Sequence, residues 1–376
     1  MTPQALSRTG LTPATRLISL DVFRGLTMAA MVIVNNPGDW GTVYAPLLHA
    51  EWHGWTPTDL IFPFFLFIVG VSITLSRKTA SPAGILRRAA IIFALGLFLA
   101  GYPNFDLERW RIPGVLQRIA VCYLVAAAAY RVTARDRRRQ GMTLSVAALA
   151  IALAYWMIMA LVPVPGGVRG DLSPDGNLGA WLDRALMAGH LWKPTWDPEG
   201  LLSTVPALAT TLLGVVAGLW LGSAAPPQRK SAGLLAAGIA GILLGQLWDL
   251  AFPINKNLWT SSYVLFTAGG ASLLLAACYW IIDVQGWRGW TKPSVILGVN
   301  AITLYVVSGL LVETLSLIRV PGADGRGLPL SRYIYVDYFV PLASPKNASL
   351  LYALAHLAVL FALLAWMYRR RLFLRV

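Results

Sequence analysis

Charge is what this sequence lacks most. Of its 376 residues only 13% are Asp, Glu, Lys or Arg, while 57% are hydrophobic. A soluble domain carries about 25% charged residues, so a water-soluble globule of this size is excluded. Apolar segments of span length recur along the whole chain. They read as transmembrane helices rather than buried core, and they leave no room for a separate soluble domain. Cysteine is nearly missing: Cys122 and Cys278 both fall inside apolar segments, which excludes a disulfide framework. There is no internal repeat, no low-complexity linker and no glycine-rich dinucleotide fingerprint. The first apolar segment lacks a small-residue cleavage site after a short apolar core, so it reads as a retained helix and not a signal peptide.

What is there is an all-α, polytopic pattern. Ten spans can be drawn: Leu17–Asn35, Leu60–Ser76, Ile85–Gly101, Ile112–Tyr130, Met142–Val162, Leu201–Ser223, Ala232–Phe252, Leu258–Ile282, Val295–Ile318 and Leu350–Tyr368. Two connections are long and rich in Gly and Pro, Pro163–Gly200 and Arg319–Ser349. The chain thus divides into a short tail (1–16), a ten-helix domain (17–368) and a basic tail (369–376). With the N-terminus in the cytosol, the cytosolic segments carry nineteen Lys and Arg and the opposite segments ten, with Arg24 and Arg118 inside spans. Both termini are therefore expected in the cytosol. Topology also accounts for the net charge of +14, so the expected partner is the lipid bilayer and not nucleic acid.

That topology collects the polar motifs on the external face. "LLHAEWHGWTPTDLIFPFFLFIVG" (47–70), "LERWRIPGVLQR" (107–118), "WDPEGLLSTVPA" (196–207) and "DLAFPINKNLWTSSY" (249–263) each set a polar cluster beside a helix end. Tryptophans such as Trp40, Trp192 and Trp290 suit interfacial anchoring. Asp59, Glu199, Asn255 and Asn257 have no anchoring preference and call for another role. His49 and His53 are two of only four histidines. With a reference pKa near 6.5, either suits general-base work. The His49-x-Glu51-x-His53 order does not match the helical H-E-x-x-H zinc pattern, so no metal is expected. Asp59 either caps span two or orients an imidazole. Arg24, three residues after Asp21, forms an internal ion pair or contacts an anionic ligand. Gln117 and Arg118 lie inside span four, and Arg87 and Arg88 open span three, where they can snorkel or line a cytosolic mouth. Lys256 could hold a carboxylate, a phosphate or a headgroup. Asp197 and Glu199 could bind sugar hydroxyls or an ammonium, or cap span six.

Several long blocks carry a resemblance. "LDVFRGLTMAAMVIVNN", "LHAEWHGWTPTDLIFPFFLFIVG", "RIPGVLQRIAVCY", "WDPEGLLSTVPALATTLLGVVAG", "PINKNLWTSSYV" and "GVNAITLYV" are similar to the heparan-alpha-glucosaminide N-acetyltransferase family, in colinear order from about Leu17 to Arg370. The resemblance implies transfer of an acetyl group from cytosolic acetyl-CoA to an amino sugar beyond the membrane. It points to a bacterial branch without the luminal domain of the animal enzymes, and so to a bacterial inner membrane. His49 matches the family's catalytic histidine in the H-A-x-W-x-G-x-T pattern, as general base or acyl carrier. Asn35 matches an asparagine that could donate to the thioester oxyanion, or cap span one. Arg24, Arg88, Gln117 and Arg118 are the expected acetyl-CoA contacts. Asp197, Glu199, Asn255, Lys256, Asn257 and His53 are the expected acceptor contacts. A homodimer is the expected assembly. Two other readings remain, O-acylation of a glycan and sugar transport without covalent change.

Overall fold

In a computed structural model the chain is described at residues 17–76, 81–134, 136–321 and 327–374. The expected tail at 1–16 and the last two residues of the basic C-terminal tail lie outside the described residues. Among the described residues, nine helices are long and apolar enough to cross a membrane, or ten if one bent pair counts as a single span. In chain order the helices are α1 (Ile18–Asn35), α2 (Ile61–Leu75), α3 (Pro82–Gly101), α4 (Val115–Val132), α5 (Arg137–Leu161), α6 (Leu178–Met187), α7 (Leu201–Leu221), α8 (Pro227–Asp249), α9 (Ser261–Cys278), α10 (Lys292–Val299), α11 (Ala301–Leu317), α12 (Leu330–Ile334) and α13 (Pro345–Arg369).

Local chemistry sets the ends. Ser81 accepts from the Gly84 amide ahead of Pro82 at the start of α3, and Asp136 accepts from Arg138 and Arg139 at the start of α5. The fold has an inner group and a rim. In the most apolar stretch of α1, of α2, of α7 and of α9, 61% of residues are buried, against 22% in α3 and α8. The inner helices approach closely because glycine faces backbone at their crossings. A Cβ on Gly70 of α2 would sit 2.0 Å from the Thr211 carbonyl oxygen, and one on Gly214 of α7 would sit 2.1 Å from that of Phe67. Small residues at helix crossings are the usual route to tight packing inside a bilayer, where no hydrophobic force separates helix from lipid.

The structure departs from the expected spans in three places. Span nine is broken: α10 and α11 meet at 77°. Asn300 stands at the break in a non-helical conformation, 1% exposed. Its side-chain amide donates to the Leu372 carbonyl at 3.2 Å and accepts from the Leu374 amide at 3.2 Å. These bonds tie the break to the segment that follows α13. Second, the Pro163–Gly200 connection contains a helix, α6, capped by the Asn177 side chain on the Ala180 amide at 2.8 Å. Third, the chain is not wholly helical: β1 (Arg319–Pro321) and β2 (Gly327–Pro329) form a small antiparallel ribbon, with Val320 opposite Leu328. Pro at the ends of both strands restricts it to three residues each, since proline cannot donate to a ladder.

Candidate active site

The site grows from the turn that feeds α2. Pro57–Leu60 is a single 3-10 turn begun by Thr56, with Pro57 at its first position and Asp59 at its third. That Thr-x-x-Asp spacing is the capping-box geometry. Asp59 Oδ2 accepts from the Thr56 amide at 2.9 Å and the Ala50 amide at 3.0 Å. Its Oδ1 lies 2.6 Å from His49 Nδ1. Capping and orienting, alternatives in the sequence, are carried out by the two oxygens of one carboxylate. Asp59 is 1% exposed and the His49 side chain 45%. An ionised carboxylate can only accept, so His49 Nδ1 holds the hydrogen and Nε2 keeps the lone pair. The Tyr263 hydroxyl donates to the Asp59 carbonyl and ties α9 to the turn.

A second loop brings a cation to that imidazole. Lys256 Nζ lies 3.1 Å from His49 Nε2 and 3.2 Å from Nδ1. Asn255 positions it: fully buried, it donates to the Trp52 carbonyl at 2.8 Å and accepts from the Leu258 amide at 2.8 Å. The Gly54 amide adds a bond to the Ile254 carbonyl at 2.8 Å. Asn255 thus couples the loop carrying His49 to the loop carrying Lys256, and its amide is consumed in doing so. Burial lowers the Lys256 pKa, with Arg118 acting in the same sense against the pull of Glu199 and Asp59. The turn closes at Trp259, whose φ of 52° is rare for a bulky residue. Its indole donates to Thr210 at 3.1 Å.

Asp197 and Glu199 arrive at the same end of the bundle but are already paired. Arg111 Nε and NH2 reach Asp197 at 2.8 and 2.7 Å, and NH2 also meets Glu199. Asp197 accepts the Trp192 and Glu199 amides as well, at 2.7 and 2.9 Å. Burial alone would depress the Arg111 guanidinium, but the two carboxylates outweigh it and raise its pKa. Asp183 of α6 caps α7 through the Leu201 amide at 2.9 Å, and burial pushes its pKa up to about 6. Sequence reasoning missed Arg111 and Asp183. Arg111 had a signal, since "RWRIPG" places a cation directly before a helix start, facing the acidic "WDPEG".

The remaining expected residues divide clearly. Arg118 is 2% exposed, donates to Thr204 and Gly200 at 3.2 Å and to Ser203, and its guanidinium lies over the Trp259 ring at 5.0 Å. Among the described residues its NH1 has no hydrogen-bond partner, nor do Gln117 Nε2, Arg88 Nε and the Tyr123 hydroxyl, all buried atoms on α3 or α4, although the Arg88 guanidinium lies over the Tyr123 ring at 4.7 Å. Arg24 instead joins an internal network, reaching Asp21 at 3.2 Å, Ser72 at 2.9 Å and the Gly298 carbonyl at 3.3 Å. Asn35 is exposed in the last turn of α1. His53 lies 3.4 Å from the Asn255 amide nitrogen, and desolvation lowers its pKa against the pull of Asp249. Asn257 lines a cavity with Trp52, Tyr155, Asp183 and Asp197. No group of three or more His, Cys, Asp or Glu able to hold a metal occurs among the described residues.

Residues 16–234 match the sequence profile of the heparan-alpha-glucosaminide N-acetyltransferase catalytic family. The chain belongs to that family. The match takes in His49, Asp59, Arg111, Arg118, Asp197 and Glu199 and stops before Lys256. Human heparan-alpha-glucosaminide N-acetyltransferase is 30% identical over 77% of this chain and 52% of its own length. The mouse protein of the same name is 31% identical over 78% of this chain and 53% of its own length. The chain thus spans about half the length of these curated relatives. Family membership and the apolar helices together make this heparan-alpha-glucosaminide N-acetyltransferase relative a multi-pass membrane protein.

Proposed function

We propose that the protein transfers an acetyl group from cytosolic acetyl-CoA to the amine of a glucosamine-type sugar at the periplasmic face of a bacterial inner membrane. The observation that carries this reading is the His49–Asp59 pair. A buried carboxylate fixes Nδ1–H and leaves the Nε2 lone pair on a half-exposed imidazole. An amino-sugar ammonium must lose a proton before it can attack a thioester, and Nε2 is a base placed to take it. Asp59 then stabilises the imidazolium, as carboxylates do in other histidine-based sites.

The donor's route is supported by the unpartnered atoms. Arg88 near the start of α3, Tyr123 midway along α4, and Gln117 and Arg118 in its first turn hold four buried polar groups without hydrogen-bond partners among the described residues. Unmet donors of this kind are costly in an apolar setting. Phosphate, amide and carbonyl oxygens of a CoA arm are the chemistry they lack. A Cβ on Gly96 or Gly114 would collide with the Gln117 amide at 2.3 or 2.6 Å, so glycine keeps that segment of α3 and α4 open to the side chain. Arg24, held by three protein partners, is the weaker candidate.

The test is a turnover assay on detergent-purified protein. Glucosamine and acetyl-CoA should yield N-acetylglucosamine and CoA, His49→Ala should abolish product, and acetyl-CoA should still raise the Tm of that variant by mass action. Arg118→Gln should lose the Tm shift. Reaction of hydroxylated acceptors alone, or sugar flux in vesicles with no covalent product, would overturn the proposal.

A further inference from the structure

The mouth of the site already contains an amine. Lys256 Nζ lies 3.1 Å from His49 Nε2 and 3.2 Å from Nδ1, which sets it against the face of the imidazole whose in-plane Nε2 lone pair an acceptor amine must reach. Its loop is held there by Asn255, whose amide bonds Trp52 and Leu258 and also approaches His53. A lysine on a flexible loop would swing into water; this one is tethered. The charges around it are Glu199, Asp59 and Arg118, and none forms an ion pair with it among the described residues. Desolvation lowers the Lys256 pKa, which enlarges its neutral, nucleophilic fraction.

We infer that Lys256 is itself an acetyl acceptor, so that the enzyme modifies its own site when thioester is present and amino sugar is not. The inference rests on the acyl-transfer reading above. Neutral Nζ attacks the acetyl carbonyl of the thioester, and the new C–N bond forms as the C–S bond breaks. Once Nζ moves from the ring face to the in-plane lone pair, His49 Nε2 takes the proton it sheds, and the departing thiolate of CoA receives that proton from the imidazolium. The products are an Nε-acetyl-lysine and free CoA, with no oxidant or other reactant required. An amide is too stable to hand the acetyl group on, so the modification is not a relay. It removes a positive charge and leaves a neutral acetamide against His49, and turnover falls. Amino sugar competes for the same position and protects the enzyme.

Peptide mass spectrometry after incubating the detergent-purified full chain with isotopically labelled acetyl-CoA decides the matter. Expected is one labelled acetyl on Lys256, lost in His49→Ala, slowed by added glucosamine, and accompanied by falling turnover. The other five lysines of the sequence report non-enzymatic acetylation in the same sample. Label spread evenly over all lysines, unchanged in His49→Ala, overturns the inference. So does an unlabelled Lys256 in a preparation that acetylates glucosamine, an outcome that leaves the acyl-transfer reading standing. A preparation that acetylates neither lysine nor glucosamine overturns that reading, and this inference with it.

Discussion

Asp59→Asn should damage catalysis more than Asp59→Ala, although it damages stability less. Asparagine is nearly isosteric, but one of its two terminal atoms must donate. The turn decides which. Ala50 and Thr56 present backbone N–H groups to Oδ2 at 3.0 and 2.9 Å, so the amide oxygen must stay on that side. The NH2 group then faces His49 Nδ1 across the 2.6 Å contact. Nδ1 is forced to accept, the hydrogen moves to Nε2, and the base is lost. The same tautomer inversion in a serine-protease triad costs about 10⁴ in kcat, and a general base is generally worth about 10²–10⁴. Alanine leaves the imidazole free to adopt either tautomer against water, so part of the activity returns. Alanine, however, strips two part-buried amides of their acceptor, at up to about 1–3 kcal/mol each, while asparagine loses only the charge assistance, about 1 kcal/mol. Acetyl-transfer rates and Tm for the two variants, His49→Ala and wild type, measured in one detergent, supply the comparison. If Asp59→Asn turns over no more slowly than Asp59→Ala, the tautomer argument is wrong.

Arg111→Ala should cost about 3–5 kcal/mol by leaving Asp197 and Glu199 buried without their cation, seen as a fall in Tm, and Arg111→Lys should restore only part because it cannot span both carboxylates. Asp183 binds its proton more tightly when folded, about 6 against 3.8. Between those values the folded state therefore holds the extra proton, and the contribution of Asp183 to stability is greatest below pH 4, falls as pH rises through 6, then levels. The Tm difference between wild type and Asp183→Asn, measured from pH 4 to 8, should follow that slope. Gly70→Ala should abolish monodisperse elution, because its methyl meets backbone at 2.0 Å. Gly270→Ala, whose methyl meets only the Phe64 ring at 3.4 Å, should elute normally; equal behaviour of the two would refute the packing argument for α2 and α7.

The helices were legible because a bilayer imposes run length, and ten apolar runs map onto nine long helices and the bent pair. His49 and Asp59 were legible for a related reason: ten residues apart, they are joined by one turn whose Thr-Pro-Thr-Asp sequence announces a helix start. Lys256 was legible as a polar residue in an apolar chain but not as a neighbour of His49, since 207 positions separate them. Arg111 was not singled out, because composition does not distinguish a cation facing headgroups from one clamped between two buried carboxylates. Asn255 was assigned to the acceptor on its polarity, whereas its amide turns inward to backbone. Polar residues at a mouth divide into those that meet a ligand and those that hold the first kind still, and only packing separates them.

The bend at Asn300 also sets an order in time. Its amide is completed by Leu372 and Leu374, 72 and 74 positions further along the chain. Until those residues have been synthesised, water must serve as its partner. The segments that carry His49, Asp59, Arg118 and Lys256 are all made before that moment, so the candidate site can assemble while the bend is still wet. The segment after α13 acts as a latch, drying the junction of α10 and α11 only once α13 has been made.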